Sequence, residues 1–203
     1  MSVTALVLGA AEPVGTALVN LLQRNGQYTD ITCLVERPLA YQHFASRDSV
    51  TPVVVDFNFL QDYQGYFNVD YVYCCLDVSS AQRQDLKAVR RQVFEYIHVA
   101  AQLARAQRCR GFVWLSEVGA DAHSADPVLK VKGELENAIM TMPQLPNASA
   151  VRAPRLLATA DSTLQQPSTN WLHQLTAAVP RLFKKEVSPY QVAAKMIELQ
   201  HQH

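Results

Sequence analysis

Residues Leu8–Gly15 read LGAAEPVG. They lie between a continuous apolar run, Val3–Leu8, and a segment, Pro13–Asn25, whose Val14, Ala17, Leu18, Leu21 and Leu22 share one helical face before Gly26 stops it. A strand that meets glycine, a turn of small residues and a helix start is how a chain builds a cradle for phosphate. The backbone comes close there, and the helix N-terminus favours an anion. Gly9 and Gly15 hold the first and last positions of such a cradle. Its middle position, where the lack of a side chain lets the backbone approach, carries Glu12 followed by Pro13. Both suit a helix start, since an acid and an N1 proline are favourable there. A carboxylate about 5 Å from one phosphate charge nevertheless costs about 3 kcal/mol at an effective dielectric of about 20, roughly a hundredfold in affinity. Solvent screening lowers that figure when the side chain turns outward.

The rest of the chain alternates strand and helix in the same rhythm. Thr29–Val35, Val50–Asp56, Val69–Leu76, Gly111–Ser116 and Ala148–Arg152 are apolar, strand-like runs, and Pro52 suits an edge position. Between them a long helix is expected over about Ser80–Gln107, with Leu86, Val89, Val93, Tyr96, Ala100 and Leu103 facing the core. Further helices are expected over Pro127–Met142 and Ser188–Gln200, the last with Ser188 as its N-cap. Regular alternation implies parallel βαβ units and a doubly wound α/β sheet of order 3-2-1-4-5-6 in a three-layer α/β/α sandwich, with Val3–Leu8 central.

Composition narrows the function classes. At 203 residues the chain is expected to form one domain, 1–203, with a small substrate-side region around 155–185. Lys plus Arg equals Asp plus Glu, 18 each, so no global field draws nucleic acid or an anionic membrane. Arg83, Lys87, Arg90 and Arg91 read as a solvated helix face. No apolar run approaches the ~20 residues of a membrane span, and the N-terminus is not a signal peptide. Cys33, Cys74, Cys75 and Cys109 lack CxxC spacing and read as reduced core thiols of a cytoplasmic protein, with no metal site.

Four stretches together resemble one family. LGAAEPVG matches the G-x-x-G-x-x-G loop of short-chain dehydrogenase relatives. YCCLDVS (Tyr73–Ser79), WLSEVGAD (Trp114–Asp121) and VLKVKGELE (Val128–Glu136) are similar to the CLG-T, LLSS-x-GAD and Y-L-x-x-K-G-E-x-E segments of one branch, that containing the Tat-interacting tumour-suppressor protein. The branch is NAD-dependent epimerase/dehydratase-like and NmrA-like, and the match runs over about residues 3–200. The resemblance implies a Rossmann fold binding NAD or NADP at the carboxyl ends of the strands. It implies a catalytic serine and a tyrosine–lysine pair in active members: the tyrosine exchanges a proton with the substrate oxygen, and the lysine lowers the tyrosine pKa and holds the nicotinamide ribose. Carried onto this chain, the cofactor residues are Gly9, Ala10, Ala11, Glu12, Val14, Gly15, Glu36, Arg37, Asp56, Phe57, Leu76 and Asp77. The catalytic positions are Ser116 and Lys132.

The departures from that pattern are concentrated where chemistry would occur. Val128 stands at the tyrosine position and leaves Lys132 without its partner. Only Ser116 of the serine doublet survives, followed by Glu117, and Asp77 replaces a glycine at the cofactor face. An ordinary structural role is open to each: Val128 in packing, Lys132 paired with Glu136 one helical turn on. Three functions stay open. The chain is a non-catalytic or cofactor-sensing relative acting through a protein partner. Alternatively it is an NAD(P)-dependent oxidoreductase on a small carbonyl substrate, with His123 or Asp126 as substitute acid. Or it is a structural protein that binds no nucleotide. Binding of NAD or NADP is expected to be weak or absent, and a homodimer follows by analogy alone. The substrate-side stretch, with Trp171, Leu172 and His173, carries no motif.

Overall fold

A computed structural model describes residues 2–39, 49–145, 147–154 and 187–201. The whole expected substrate-side region, 155–185, with Trp171, Leu172 and His173, lies outside the described residues. Six strands form one parallel sheet in the order β3-β2-β1-β4-β5-β6. They are β1 (Val3–Leu8), β2 (Tyr28–Val35), β3 (Val50–Val54), β4 (Tyr71–Cys74), β5 (Gly111–Glu117) and β6 (Ala148–Ala153). The expected order is the observed one, with β1 between β2 and β4. Strand alternation divides the core into two layers. Ala5, Val7, Ile31, Cys33, Tyr73, Val113 and Leu115 face α1 (Pro13–Asn25) and α5 (Pro189–Gln200). Leu6, Leu8, Leu34, Val72, Cys74, Phe112 and Trp114 face α3 (Tyr96–Ala106) and α4 (Pro127–Met140).

Local chemistry sets the helix ends. Gly26 closes α1 at φ 67°, a left-handed conformation that suits glycine. Asp126 caps α4 by accepting from the backbone N–H groups of Val128 and Leu129 at 2.8 and 3.2 Å. Ser188 and Gln191 form a reciprocal capping box at α5, as the expected N-cap requires.

One expectation needs correction. The single long helix over Ser80–Gln107 is instead a 3₁₀ turn at Gln82–Gln84, a short α2 (Leu86–Val89), a π-helical stretch at Arg90–Glu95, and α3. Asp85 caps α2, so the chain restarts there, and Leu86 lies 50% exposed at the first turn rather than in the core stripe. Between β3 and β4, Phe57–Phe67 forms 3₁₀ turns broken at Phe59 and Tyr63.

Candidate functional site

The LGAAEPVG loop has the shape of a phosphate cradle. Gly9 adopts φ 78°, and a Cβ on it would sit 2.9 Å from the carbonyl carbon of Cys75. A Cβ on Gly15 would sit 2.1 Å from the Gly9 oxygen. Both glycines are therefore required by backbone approaching backbone. Glu12 N–H donates to Gly9 O at 3.0 Å, and Thr16 Oγ1 donates to Ala10 O at 2.9 Å, closing the turn from within. Ala10 and Val14 are buried beneath the loop, while Ala11 and Glu12 are exposed at its mouth.

Glu12 is the N-cap residue of α1, yet its side chain makes no capping bond. Although the residue is exposed, neighbouring atoms displace part of the water around its carboxylate. Loss of hydration there raises its pKa above the ordinary value; Asp77 and Glu36 raise it further, and Arg37 opposes them. Glu36 and Arg37 lie exposed just past β2. Asp56 accepts from the backbone and side-chain N–H of Asn58 at 2.9 and 2.7 Å. Phe57 is buried in the core and stacks on Tyr96 with ring centroids 5.7 Å apart, and Leu76 is half-buried.

A different arrangement holds the opposite half. Lys132, on α4, is only 2% exposed, and its ammonium lies 2.9 Å from Asp77 Oδ1 and 3.2 Å from Glu117 Oε2. Arg83, from the 3₁₀ turn, donates twice to the same Glu117, at 2.8 and 3.2 Å. Burial alone would raise the Glu117 carboxyl, but the Arg83 hydrogen bonds and the Lys132 charge outweigh it and hold it below its ordinary value. The neighbouring Ser116 hydroxyl donates to Glu136 Oε1 at 2.6 Å, and Glu136 is gripped by Arg152 Nε at 3.1 Å from each oxygen. Lys132 and Glu136 thus do not pair with each other, although they are four residues apart on one helix. Val128 is 4% exposed in an apolar cluster with Val78, Val89, Val93 and Val131.

These contacts account for the KGELE stretch residue by residue. Lys132 and Glu136 anchor the two buried networks, Leu135 is core, and Glu134 pairs with Arg90 at 2.8 Å. Gly133 admits the Gly119–Asp121 loop: a Cβ there would sit 2.2 Å from the backbone of Asp121. An open cavity of about 240 Å³, lined by Asp121, Gly133, Glu136 and Arg152 among others, lies beside this crossing rather than over the phosphate loop. The side chain of His123 is 95% exposed, with Nδ1 3.3 Å from Asp121. Arg83, expected on a solvated helix face, is instead 11% exposed in its side chain and paired with Glu117, and the sequence assigned no role to Arg152. Their partners lie 34 and 16 residues away, beyond any local spacing rule. Among the described residues no group of three or more His, Cys, Asp or Glu is placed to hold a metal ion.

No family model matches the chain. It is 31% identical to Protein HTATIP2 of Rattus norvegicus over 134 residues, 66% of this chain and 54% of that protein. In sequence the chain is HTATIP2-like, and its sheet has the strand order of a Rossmann fold. It spans about half the length of the rat relative (54%). Its backbone superposes with a TM-score of 0.69 on a protein from Bacillus halodurans described as a putative NAD-dependent epimerase/dehydratase, at 18% identity over 99% of this chain and 89% of that one. The Bordetella bronchiseptica enzyme WbmH, solved in complex with NAD+, gives 0.62 at 12% identity over 75% and 56%. Identities this low speak to the fold alone, a Rossmann-type parallel sheet of order 3-2-1-4-5-6. Among the described residues no helix is long and apolar enough to cross a membrane.

Proposed function

We propose that this HTATIP2-like chain is a non-catalytic, cytoplasmic protein that binds nicotinamide dinucleotides weakly and acts through a protein partner or a second copy of itself. The observation that carries the reading is the neutralised Lys132. In an active relative the lysine must face a tyrosine and the cofactor ribose. Here its ammonium is buried against Asp77 and Glu117, and Val128, in the tyrosine position, is packed among valines. The serine hydroxyl likewise donates into the Glu136–Arg152 pair. A general acid must be within reach of the developing alkoxide and is worth about 10² to 10⁴ in rate. Neither Val128 nor the paired Lys132 supplies one.

NAD or NADP fits this site by halves. The Gly9–Gly15 turn has the close backbone approach that a pyrophosphate needs, and the carboxylates of Glu12 and Glu36 oppose the charge. The catalytic half does not fit, so no hydride step is assigned. Calorimetric titration with NAD, NADH, NADP and NADPH should give dissociation constants weaker than about 100 µM. Turnover with aldehydes, ketones and quinones should stay at background. A low-micromolar constant or robust turnover would sink the reading.

The substitute-acid alternative has less support. Asp126 accepts the first backbone N–H groups of α4, and His123 stands in solvent beside Asp121. Turnover that vanishes on His123→Ala would establish it. Restoring chemistry takes more than Glu12→Gly with Val128→Tyr, because Asp77 still neutralises Lys132. Adding Asp77→Gly leaves the ammonium with Glu117 alone, a carboxylate that Arg83 already pairs, and only the triple variant is expected to reduce a carbonyl detectably.

A further inference from the structure

We propose that dinucleotide binding at the Gly9–Gly15 loop takes up a proton onto Glu12, so that affinity rises as the pH falls. The inference rests on the reading of that loop as a phosphate cradle. Its basis is the contrast among the charged groups around the mouth. From the end of β4 comes Asp77, whose charge is matched by Lys132 of α4 at 2.9 Å. Beyond β2 stand Glu36 and Arg37, both exposed. Within α1 the first turn carries no acidic side chain, and the Thr16 hydroxyl donates to Ala10 O rather than to the Glu12 carboxylate. Pro13, at N1, has no N–H to offer. Glu12 therefore has no ion pair or capping bond among the described residues, and it faces two carboxylates against one arginine.

Its affinity for a proton is already raised in the free protein, by lost hydration first and by Asp77 and Glu36 next. A pyrophosphate seated on Gly9 and Gly15 adds negative charge and excludes more water, and both effects favour the neutral carboxyl further. Linkage makes this reciprocal: a ligand that raises the proton affinity of Glu12 is bound more tightly once Glu12 is protonated. One linked proton changes the affinity by at most about tenfold per pH unit.

The test is calorimetry with NAD+ between about pH 5 and pH 8, at each pH in two buffers of different ionisation enthalpy, so that proton uptake is read directly. NAD+ is chosen over NADP because the 2′-phosphate of NADP itself titrates near about pH 6. The wild-type protein should take up a fraction of a proton and bind several-fold more tightly for each pH unit lost. Glu12→Gln should bind more tightly than wild type at neutral pH and take up none, while Glu36→Gln should keep most of the uptake. Binding by both wild type and Glu12→Gln with equal uptake, or with none, overturns the inference and leaves the cradle intact. So does uptake that disappears in Glu36→Gln instead. Failure of Glu12→Gln to bind NAD+ at any pH overturns the cradle reading and this inference together.

Discussion

Glu12 and Glu117 both lie at the carboxyl edge of the sheet, one just beyond β1 and the other at the end of β5, and their surroundings treat them oppositely. Glu117 meets a guanidinium and an ammonium, accepts from both, and is held below the ordinary carboxyl range. Glu12 stands at the mouth of a glycine turn with like charges for neighbours and is pushed above it. A dinucleotide fold divides the same way, into a phosphate end that works through backbone shape and a catalytic end that works through side chains. Here the first keeps its shape and gains an unmatched charge. The second keeps its lysine and closes over it. A buried electrostatic joint thus ties the end of β4 to β5 and α4, while the glycine turn remains open at the surface.

The largest effect that can break this comparison is removal of the ammonium. Lys132→Met leaves Asp77 uncompensated and Glu117 with Arg83 alone, in a place where the lysine is 2% exposed. Breaking a buried pair by deleting one partner costs about 3 to 5 kcal/mol. Urea unfolding should show that loss, whereas Glu12→Gln should shift stability by no more than about 0.5 kcal/mol. Equal, small changes in both variants would mean that the joint does not hold the fold.

Next in size come the glycines. Gly15→Ala and Gly133→Ala each drive a Cβ into backbone, at 2.1 Å from Gly9 O and 2.2 Å from Asp121 C. Backbone cannot rotate away, so each should cost about 1 to 3 kcal/mol or more by overpacking. Gly65 is the control, because a Cβ there meets nothing within 4 Å. Gly65→Ala should leave the unfolding midpoint unchanged or raise it slightly through the unfolded state. Thermal melts of the three variants measure the differences. A harmless Gly133→Ala would show that the Gly119–Asp121 loop can lift from α4.

What was legible in the sequence follows from how local its causes are. The β1–loop–α1 unit, the strand order and the Ser188 cap rest on apolar periods and turn residues within about ten positions of one another. Lys132 and Glu136 take different partners for a physical reason. Four residues along a helix make Lys132 and Glu136 neighbours, but both are buried, and strand alternation at the end of β5 sends Ser116 and Glu117 in different directions to meet them. The π-helical stretch at Arg90–Glu95 left no local trace, since it shifts a face by one residue without altering its composition. At the candidate site, the departures at Glu12, Asp77 and Val128 were readable, because each replaces a residue type in a motif. Their consequence depended on Arg83 and Arg152, which only the tertiary fold brings in.

The smallest expected effect is the most direct contrast of the two glutamates, because acid should move their contributions to stability in opposite directions. The folded pKa of Glu117 lies below its unfolded value. Its contribution is therefore fully present above the unfolded pKa and is lost as pH falls through the folded one. The folded pKa of Glu12 lies above its unfolded value. Whatever stability its protonation contributes is fully present below the unfolded pKa and is lost as pH rises through the folded one. Exposure of Glu12 keeps that part small. Urea midpoints for wild type, Glu12→Gln and Glu117→Gln, followed from neutral pH down to about pH 4, separate the two. The difference between wild type and Glu117→Gln should shrink on acidification, as the wild type loses what the variant never had. The difference between wild type and Glu12→Gln should move the other way, with the wild type gaining on the variant as its own carboxyl becomes neutral. Parallel curves for all three proteins would mean that neither glutamate differs between folded and unfolded chains, and the contrast drawn between the two ends of the site would not hold.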